Sequence, residues 1–150
     1  MISYPLLLEQ FKMILKENHL KFTKQREVIL HFLYQNHDHF TPEEILMGLK
    51  EIHPKMSLGM ATIYRTLTLL EESGIASSIS FGAQGKKYEL GVKKHHDHLI
   101  CSACGKIIEF YDETIEAQQE LIAQKFHFTM QEHTMKIVGL CQQCQEQTTI

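Results

Sequence analysis

The sequence predicts an α+β protein of two small domains, a helical one over residues 1–90 and a mixed α/β one over residues 95–150, joined by a hinge at 91–94. Apolar residues recur at helical spacing through most of the first domain, whereas short strand-like runs open the second. All four cysteines lie in the second domain, as two Cys-x-x-Cys pairs. These three observations define the organisation.

Two amphipathic helices open the chain, the first over about residues 3–17 and the second from about Thr23 to Gln35. Their apolar stripes have the spacing of one buried helix face. The stripes are Leu6, Leu7, Phe11, Ile14 and Leu15 in the first helix, and Val28, Ile29, Phe32 and Leu33 in the second.

The clearest helix start is the run Thr41-Pro42-Glu43-Glu44. Threonine suits the N-cap, proline suits the first helical position, and Glu44 can complete a capping box. The sequence therefore predicts a third helix that begins here and continues through Leu49.

The segment SLGMATIYRTLTLLEESG, residues 57–74, predicts a fourth helix that ends near Gly74. One side is apolar and the other is small and polar, the latter formed by Ala61, Thr62, Arg65 and Thr68. Such a surface suits entry into the DNA major groove, although a helix that merely covers a core is the alternative. Leu69 interrupts the polar side, which predicts that only its N-terminal half is exposed.

A hairpin follows, with strands IASSISF and KKYEL around the turn GAQG at 82–85. Three helices, the last of recognition type, and then a basic-edged hairpin form the order of a winged helix-turn-helix. After the hinge, strands are predicted over His95–Cys101 and Ile107–Phe110, then a helix capped by Asp112, then one or two strands over 126–141.

The cysteine pairs Cys101/Cys104 and Cys141/Cys144 are separated by 36 residues. Two such pairs can surround one zinc ion with four sulfurs and leave no open position, which is typical of a structural site. Disulfides or free thiols are the alternative. The intervening segment must therefore return its two ends to one point.

Residues 95–98, His-His-Asp-His, are four metal-binding types in a row. In an extended strand neighbouring side chains point to opposite faces, so His96 and His98 share one face while His95 and Asp97 share the other. This predicts two further metal sites, with solvated histidines as the alternative. Each site needs more donors, for which the candidates are Glu89, Glu109 and His39 (or His37) on the first face, and Glu116 and His133 on the second.

A mixed nitrogen and oxygen shell accepts Fe²⁺, Mn²⁺, Co²⁺ or Zn²⁺. Because His39 belongs to the first domain, an ion on the first face would fix the angle between the domains. The net charge is −3, so DNA contact requires a local basic patch or the charge of a bound metal.

Neither a signal peptide nor an apolar run of the ~20 residues that span a bilayer is present, so a cytoplasmic protein without a membrane partner is expected. No nucleophile constellation, phosphate loop or cofactor motif accompanies the His/Glu residues. The protein is therefore predicted not to be an enzyme, with a zinc metalloenzyme as the alternative.

Six segments together resemble the ferric uptake regulator family over essentially the whole chain: LKFTKQREVIL, HFTPEEI, ATIYRTLTLLEESG, KKYEL, HHDHLICSACGKIIEF and CQQC. The resemblance implies a metal-dependent transcriptional repressor with Fe²⁺ as corepressor and no small-molecule substrate. It also implies a C-terminal domain that forms a homodimer, with a tetramer of two dimers as a further state, and A/T-rich inverted-repeat operators of iron-uptake genes.

The resemblance also implies roles for single residues. The regulatory site would be His39, Glu89, His96, His98 and Glu109; the additional site would be His95, Asp97, Glu116 and His133; and the four cysteines would hold structural zinc. Tyr64 and Arg65, beside Thr62, match the motif that reads operator bases, and Lys21 matches a minor-groove contact.

Two departures from related subfamilies point to an iron sensor. Peroxide-sensing members place aspartates where Glu89 and Glu109 stand, and zinc-uptake regulators commonly use a cysteine in the regulatory site, whereas all four cysteines here are already assigned. A peroxide sensor or a sensor of another metal within the same family is the alternative.

Overall fold

The computed structural model describes residues 2–80, 85–91 and 95–148, and confirms an α+β fold. The chain divides into unit 1, residues 1–93, and unit 2, residues 94–150. Most of the predicted turn at 82–85 and most of the predicted hinge at 91–94 lie outside the described residues.

Unit 1 contains four helices, α1 (Tyr4–Glu17), α2 (Lys24–Gln35), α3 (Pro42–Ile52) and α4 (Met60–Glu72). Each predicted stripe contributes to a single core, because burial of one apolar face is what stabilises an amphipathic helix in water. The largest fully buried side chains of this core are Leu7, Phe11, Leu15, Ile29, Leu30, Leu33, Ile45, Leu49, Ile63, Leu67 and Leu70.

Two antiparallel strands complete unit 1, β1 (Ala76–Ser80) and β2 (Lys86–Leu90). The segment before α3 joins them through a β-bridge, in which the amide of Phe40 donates to the carbonyl of Tyr88 at 2.9 Å and the amide of Tyr88 donates back at 2.7 Å. The helices and the strand pair form the predicted winged helix-turn-helix arrangement.

The position of Leu69 on α4 differs from the prediction that it interrupts the exposed polar side. Its side chain is 8% exposed and belongs to the core, whereas Thr68 beside it is exposed. The buried face of α4 is wide enough to include Leu69, so the exposed polar stripe continues past the N-terminal half of the helix.

The start of α3 shows the predicted capping box. The Thr41 hydroxyl accepts from the Glu44 amide at 3.1 Å, and the Glu44 carboxylate accepts from the Thr41 amide at 2.8 Å. Both bonds satisfy amides that a helix start leaves without partners.

Replacing Thr41 with alanine is expected to lower the free energy of unfolding by about 1 kcal/mol, because the Glu44 amide loses its acceptor. Urea unfolding of the full chain followed by far-UV circular dichroism measures this change. The control Thr41→Ser keeps the hydroxyl and should stay near the wild type. Equal stability of the alanine and serine variants would show that the cap contributes nothing.

Unit 2 contains β3 (Asp97–Cys101), β4 (Ile107–Phe110), α5 (Glu113–Lys125), β5 (Lys136–Gly139) and α6 (Gln142–Thr148). The sheet order is β4-β3-β5, with β3 antiparallel to β4 and parallel to β5. Asp112 caps α5 as predicted, accepting from two amides at 2.9 and 3.0 Å. The first strand begins at Asp97, two residues later than predicted, and α6 was not predicted.

The described part of unit 2 has almost no hydrophobic core. Its buried apolar side chains are Ile100 and Cys101, each 4% exposed, and α5 contributes none. Large apolar side chains are instead exposed on its strands, loops and α5, namely Leu99, Ile108, Leu121, Ile122, Phe126, Phe128, Ile137, Val138 and Leu140. A unit of this size needs other sources of stability, such as a metal or a second chain.

Within the described ranges, every helix is too short or too polar to traverse a lipid bilayer.

Candidate metal centres and nucleic-acid interface

Parallel pairing of β3 with β5 brings the two cysteine pairs to one end of the sheet. Cys101 is in register with Gly139, and the Ser102 amide donates to the Gly139 carbonyl at 2.8 Å. Cys141, two residues beyond Gly139, therefore lies beside Cys101, to whose sulfur its amide donates at 3.3 Å. The segment between the pairs returns its ends to one point, as the spacing requires.

The four sulfurs fit one tetrahedral ion. Each Sγ lies within 4.8 Å of the other three, and the Sγ atoms of Cys104 and Cys141 are 3.8 Å apart. Zinc–sulfur bonds of about 2.3 Å in tetrahedral geometry place sulfurs about 3.8 Å apart. All four cysteines are free of disulfides.

The surroundings of the thiols favour a cation. The amide of Cys141, followed by those of Cys104 and Ala103, lowers the pKa of Cys101 to about 6. Hydrogen bonding to Cys141 and then to Cys104 raises the pKa of Cys144 to about 12. The Cys144 thiol therefore keeps its proton near neutral pH, and a divalent cation would supply the charge that favours the thiolate form of all four sulfurs.

The predicted alternation of side chains holds across residues 95–98, although β3 begins only at Asp97. His95 lies with Asp97, their Nε2 and Oδ1 atoms 3.5 Å apart, and the rings of His96 and His98 lie together with centroids 4.7 Å apart. The donors of this segment therefore separate into two groups, neither of which contains a cysteine.

The first group joins His95 and Asp97 to Glu116 of α5 and to His133. Glu116 Oε1 lies 3.4 Å from His95 Nε2 and 3.2 Å from His133 Nε2, and His133 Nε2 lies 4.0 Å from Asp97 Oδ1. Tetrahedral ligands about 2.0–2.1 Å from zinc lie about 3.3–3.4 Å apart, which is close to the two separations from Glu116 and shorter than the third.

Asp97 gives the strongest indication of a cation in this group. Its side chain is 1% exposed, and both carboxylate oxygens are buried without a hydrogen bond from any described residue. Burying a charge is unfavourable unless it is paired or binds a metal. The set of two imidazoles and two carboxylates therefore fits a divalent ion.

In unit 1, the Phe40–Tyr88 bridge brings the residues that flank it together. His39 and Glu89 are both buried, and His39 Nε2 lies 3.2 Å from Glu89 Oε1. His37, the alternative to His39, is exposed. The unit thus offers one imidazole and one carboxylate.

In unit 2, His96, His98 and Glu109 form a second group. His98 is in register with Glu109 across β3 and β4, and His96 Nε2 lies 3.6 Å from Glu109 Oε1. This unit thus offers two imidazoles and one carboxylate.

The exposed side of α4 forms the candidate nucleic-acid interface. Tyr64 and Arg65 are exposed, and Thr62 is half-buried one turn before Arg65. The Tyr64 hydroxyl donates to Glu43 Oε1 at 3.1 Å, and this hydrogen bond raises the pKa of Tyr64 above its usual value. Because its proton points at Glu43, the hydroxyl oxygen is left as an acceptor for any other partner. Lys21, the predicted minor-groove residue, is exposed in the segment between α1 and α2.

Sequence reasoning missed a polar cleft of 250 Å³ in unit 1, here called the α2–α4 cleft. Residues from the start of α2 and from the start of α4 line it, namely Thr23, Gln25, Arg26, Ser57, Thr62 and Arg65. The available signal was that both helices open with hydroxyl-bearing and basic residues, but only the packing of α2 against α4 shows that they share a cleft.

Comparison with known proteins places these features in a family. The sequence model of the ferric uptake regulator family matches residues 17–138. The ferric uptake regulation protein of Campylobacter upsaliensis is 50% identical over 149 residues, which cover 99% of this chain and 96% of that protein. The peroxide-responsive repressor PerR of Staphylococcus saprophyticus is 33% identical over 132 residues, covering 88% of this chain and 87% of that repressor.

The fold agrees with a solved structure, that of the Helicobacter pylori ferric uptake regulator, in which three functional metal-binding sites are known. Its TM-score is 0.88 at 37% sequence identity, with 96% of this chain and 95% of that chain covered. The family comprises metal-responsive transcription regulators that bind DNA as dimers. The protein with these thiolate and imidazole clusters therefore belongs to the ferric uptake regulator family.

Proposed function

We propose that the protein is an Fe²⁺-dependent repressor of iron-uptake genes that binds A/T-rich inverted-repeat operators as a homodimer in the cytoplasm. The observation that carries this proposal is the separation of the donors by chemistry. Sulfur atoms form one cluster, whereas imidazoles and carboxylates form others. Thiolates suit a permanently bound zinc ion, and mixed nitrogen and oxygen donors suit an exchangeable first-row metal.

The regulatory ion is held by His39 and Glu89 of unit 1 together with His96, His98 and Glu109 of unit 2. Support comes from the two groups themselves, because two donors or three make a poor site alone, whereas five make a mixed shell. Such a shell also accepts Mn²⁺, Co²⁺ or Zn²⁺, and cellular supply decides which ion is bound. An ion that needs ligands from both units biases the protein toward one arrangement of them, which is how a ligand shifts a conformational equilibrium.

The other two sites have different roles in this proposal. Cys101, Cys104, Cys141 and Cys144 hold structural zinc, which supplies folding free energy that unit 2 lacks. The additional site is formed by His95, Asp97, Glu116 and His133. Because Glu116 comes from α5 and Asp97 from β3, an ion there would also fasten the helix to the sheet.

Unit 2 forms the homodimer. Its edge strand β5 is exposed along its whole length, with Ile137 48% and Val138 58% exposed. An exposed apolar edge strand, and a helix that exposes Leu121 and Ile122 as α5 does, are features that a second chain would bury. A tetramer of two such dimers is a further assembly in this proposal.

DNA is read by α4. Thr62, Tyr64 and Arg65 enter the major groove, where an arginine fork suits guanine and a hydroxyl that acts as acceptor suits an adenine or cytosine amino group. Lys21 contacts the minor groove. The His/Glu clusters serve binding and not catalysis, so no small-molecule substrate is turned over.

The zinc-loaded full chain is expected to bind an A/T-rich inverted-repeat duplex tightly only when Mn²⁺ or anaerobic Fe²⁺ is present. Coupling free energies of this kind correspond to affinity changes of roughly 5–150-fold. Fluorescence anisotropy of the labelled duplex, with and without metal at fixed ionic strength, measures the effect. Metal-independent failure to bind DNA would contradict the proposal and would favour a metalloenzyme.

A peroxide treatment distinguishes the sensor classes within the family. An iron sensor with Glu89 and Glu109 should regain full DNA binding when fresh Fe²⁺ replaces the ion after exposure to hydrogen peroxide. Permanent loss of binding, with oxidised histidines found by mass spectrometry, would identify a peroxide sensor instead.

A further inference from the structure

The α2–α4 cleft is lined only by uncharged polar and basic side chains. Two of its six lining residues, Arg26 and Arg65, carry guanidinium groups, and none is acidic. Glu27, the acidic residue in the first turn of α2, is paired with Lys24 at 3.0 Å. The cleft is therefore a site of positive charge on a chain whose net charge is −3.

Most hydrogen-bond donors in the cleft are available to a ligand. Among the described residues, the side chains of Gln25, Ser57, Thr62 and Arg65 have no hydrogen-bond partner. Arg26 uses part of its guanidinium to donate to the Lys21 carbonyl. The cleft that these side chains line has a volume of about 250 Å³.

The start of α2 adds to the preference for an anion. The Thr23 hydroxyl accepts from the Arg26 amide at 3.3 Å, and the amides before Arg26 lie at a helix start, where intrahelical acceptors are lacking. The positive end of the helix dipole also faces this region. The remaining donors of the Arg26 guanidinium, the hydroxyls and the helix start together match the oxygens of a phosphate group.

We infer that the α2–α4 cleft binds one phosphodiester group of the DNA backbone beside the groove that α4 reads. The inference rests on the DNA-binding function proposed above and adds a residue set, Thr23, Gln25, Arg26 and Ser57, to it. A backbone contact of this kind contributes affinity and fixes the register of α4, but carries no sequence preference. Arg65 borders the cleft and remains available for base contact.

The test places a negative charge in the cleft with minimal change of shape. Gln25→Glu is expected to weaken binding of the Mn²⁺-loaded full chain to its operator and to an unrelated duplex by the same factor. One phosphate contact contributes about 0.9 to the slope of log K against log salt, which corresponds to roughly eightfold in affinity at about 0.1 M salt. Anisotropy titrations at several salt concentrations measure both the factor and the slope.

The matched control is Gln10→Glu, which makes the same charge change at an exposed position of α1 outside the cleft. It should leave both affinities within about twofold and the salt slope unchanged. Equal effects of the two variants would overturn the inference, because the change in the net charge of the chain would then explain the weaker binding. A loss confined to the operator would also overturn it, since that outcome means base recognition. Failure of the wild-type chain to bind any duplex would instead refute the proposed function itself.

A second pair of variants tests the guanidinium. Arg26→Ala should reduce binding to both duplexes, whereas Arg26→Lys, which retains the charge, should recover part of the loss. Free inorganic phosphate is the other ligand that could occupy the cleft. It is therefore titrated into the protein without DNA, and its binding is followed by NMR. Saturation below about 1 mM with unchanged DNA binding by the Arg26 variants would assign the cleft to free phosphate and overturn the inference.

Discussion

Replacing both His96 and His98 with alanine is expected to abolish the metal response of DNA binding while leaving the zinc content and the oligomeric state unchanged. His96 lies 3.6 Å from Glu109, and the rings of His96 and His98 have centroids 4.7 Å apart. The sulfur cluster contains neither histidine. Removing two imidazoles from the proposed regulatory shell therefore eliminates the exchangeable ion without touching the zinc ligands.

The variant should bind the operator with the affinity that the wild type shows without metal, which is a loss of roughly 5–150-fold at saturating Mn²⁺. Anisotropy titration gives the affinity, elemental analysis gives zinc per chain, and sedimentation gives the oligomeric state. The control His37→Ala removes an exposed histidine of unit 1 and should keep the metal response. Joint loss of zinc and metal response in the double variant would show that the sites are not independent.

Local signals in the sequence predicted much of the fold. The Thr41 and Glu44 capping box forms as predicted because both partners lie within one helical turn, and Asp112 caps α5 for the same reason. The apolar stripes predicted the core of unit 1, since burial of a periodic face needs no knowledge of its partner. There are two exceptions. Leu6 was predicted on the buried stripe but is 55% exposed, and the burial of Leu69 depended on the width of the buried face of α4, which only the packed neighbours determine.

For the candidate metal groups, the sequence predicted how the donors of residues 95–98 separate, but not the packing that brings the other donors to them. Alternation along one strand separates Asp97 from His98, and the structure brings Glu116 and His133 to the former and Glu109 to the latter. The sequence analysis named these partners for the two faces, but alternation alone does not imply them, because they come from a helix, a loop and a second strand.

Two features could not be predicted from local sequence signals. The α2–α4 cleft combines Gln25 with Ser57 and Arg65, which only tertiary packing brings together. Helix α6 has the sequence QQCQEQT, with no apolar stripe beyond its cysteine. A seven-residue polar segment is not expected to be helical alone. Cys141, just before the helix, and Cys144, within it, would stabilise the helix by binding the proposed zinc ion.

Replacing Cys101 with serine is expected to unfold unit 2 and to abolish dimer formation, while the helices of unit 1 remain folded. Among its described apolar side chains, unit 2 buries only Ile100 and Cys101, and α5 buries none. Structural zinc contributes folding free energy on the order of 10 kcal/mol in small domains. Without it, β3 and β5 lose the clamp at their shared end, and the exposed apolar faces have no stable scaffold on which a second chain can dock.

The unfolding is measured by hydrogen exchange with peptide resolution, and the oligomeric state by sedimentation. Peptides of residues 97–139 should exchange rapidly in the variant, whereas peptides from α1, α2 and α4 should stay protected because their core lies wholly in unit 1. Removing zinc from the wild type with a strong chelator should reproduce this pattern, and readdition of Zn²⁺ should reverse it. Replacing Cys104, Cys141 or Cys144 with serine should have the same effect on unit 2 and on the dimer as replacing Cys101. A zinc-free chain that keeps unit 2 protected and dimeric would show that the four thiols are not its structural support.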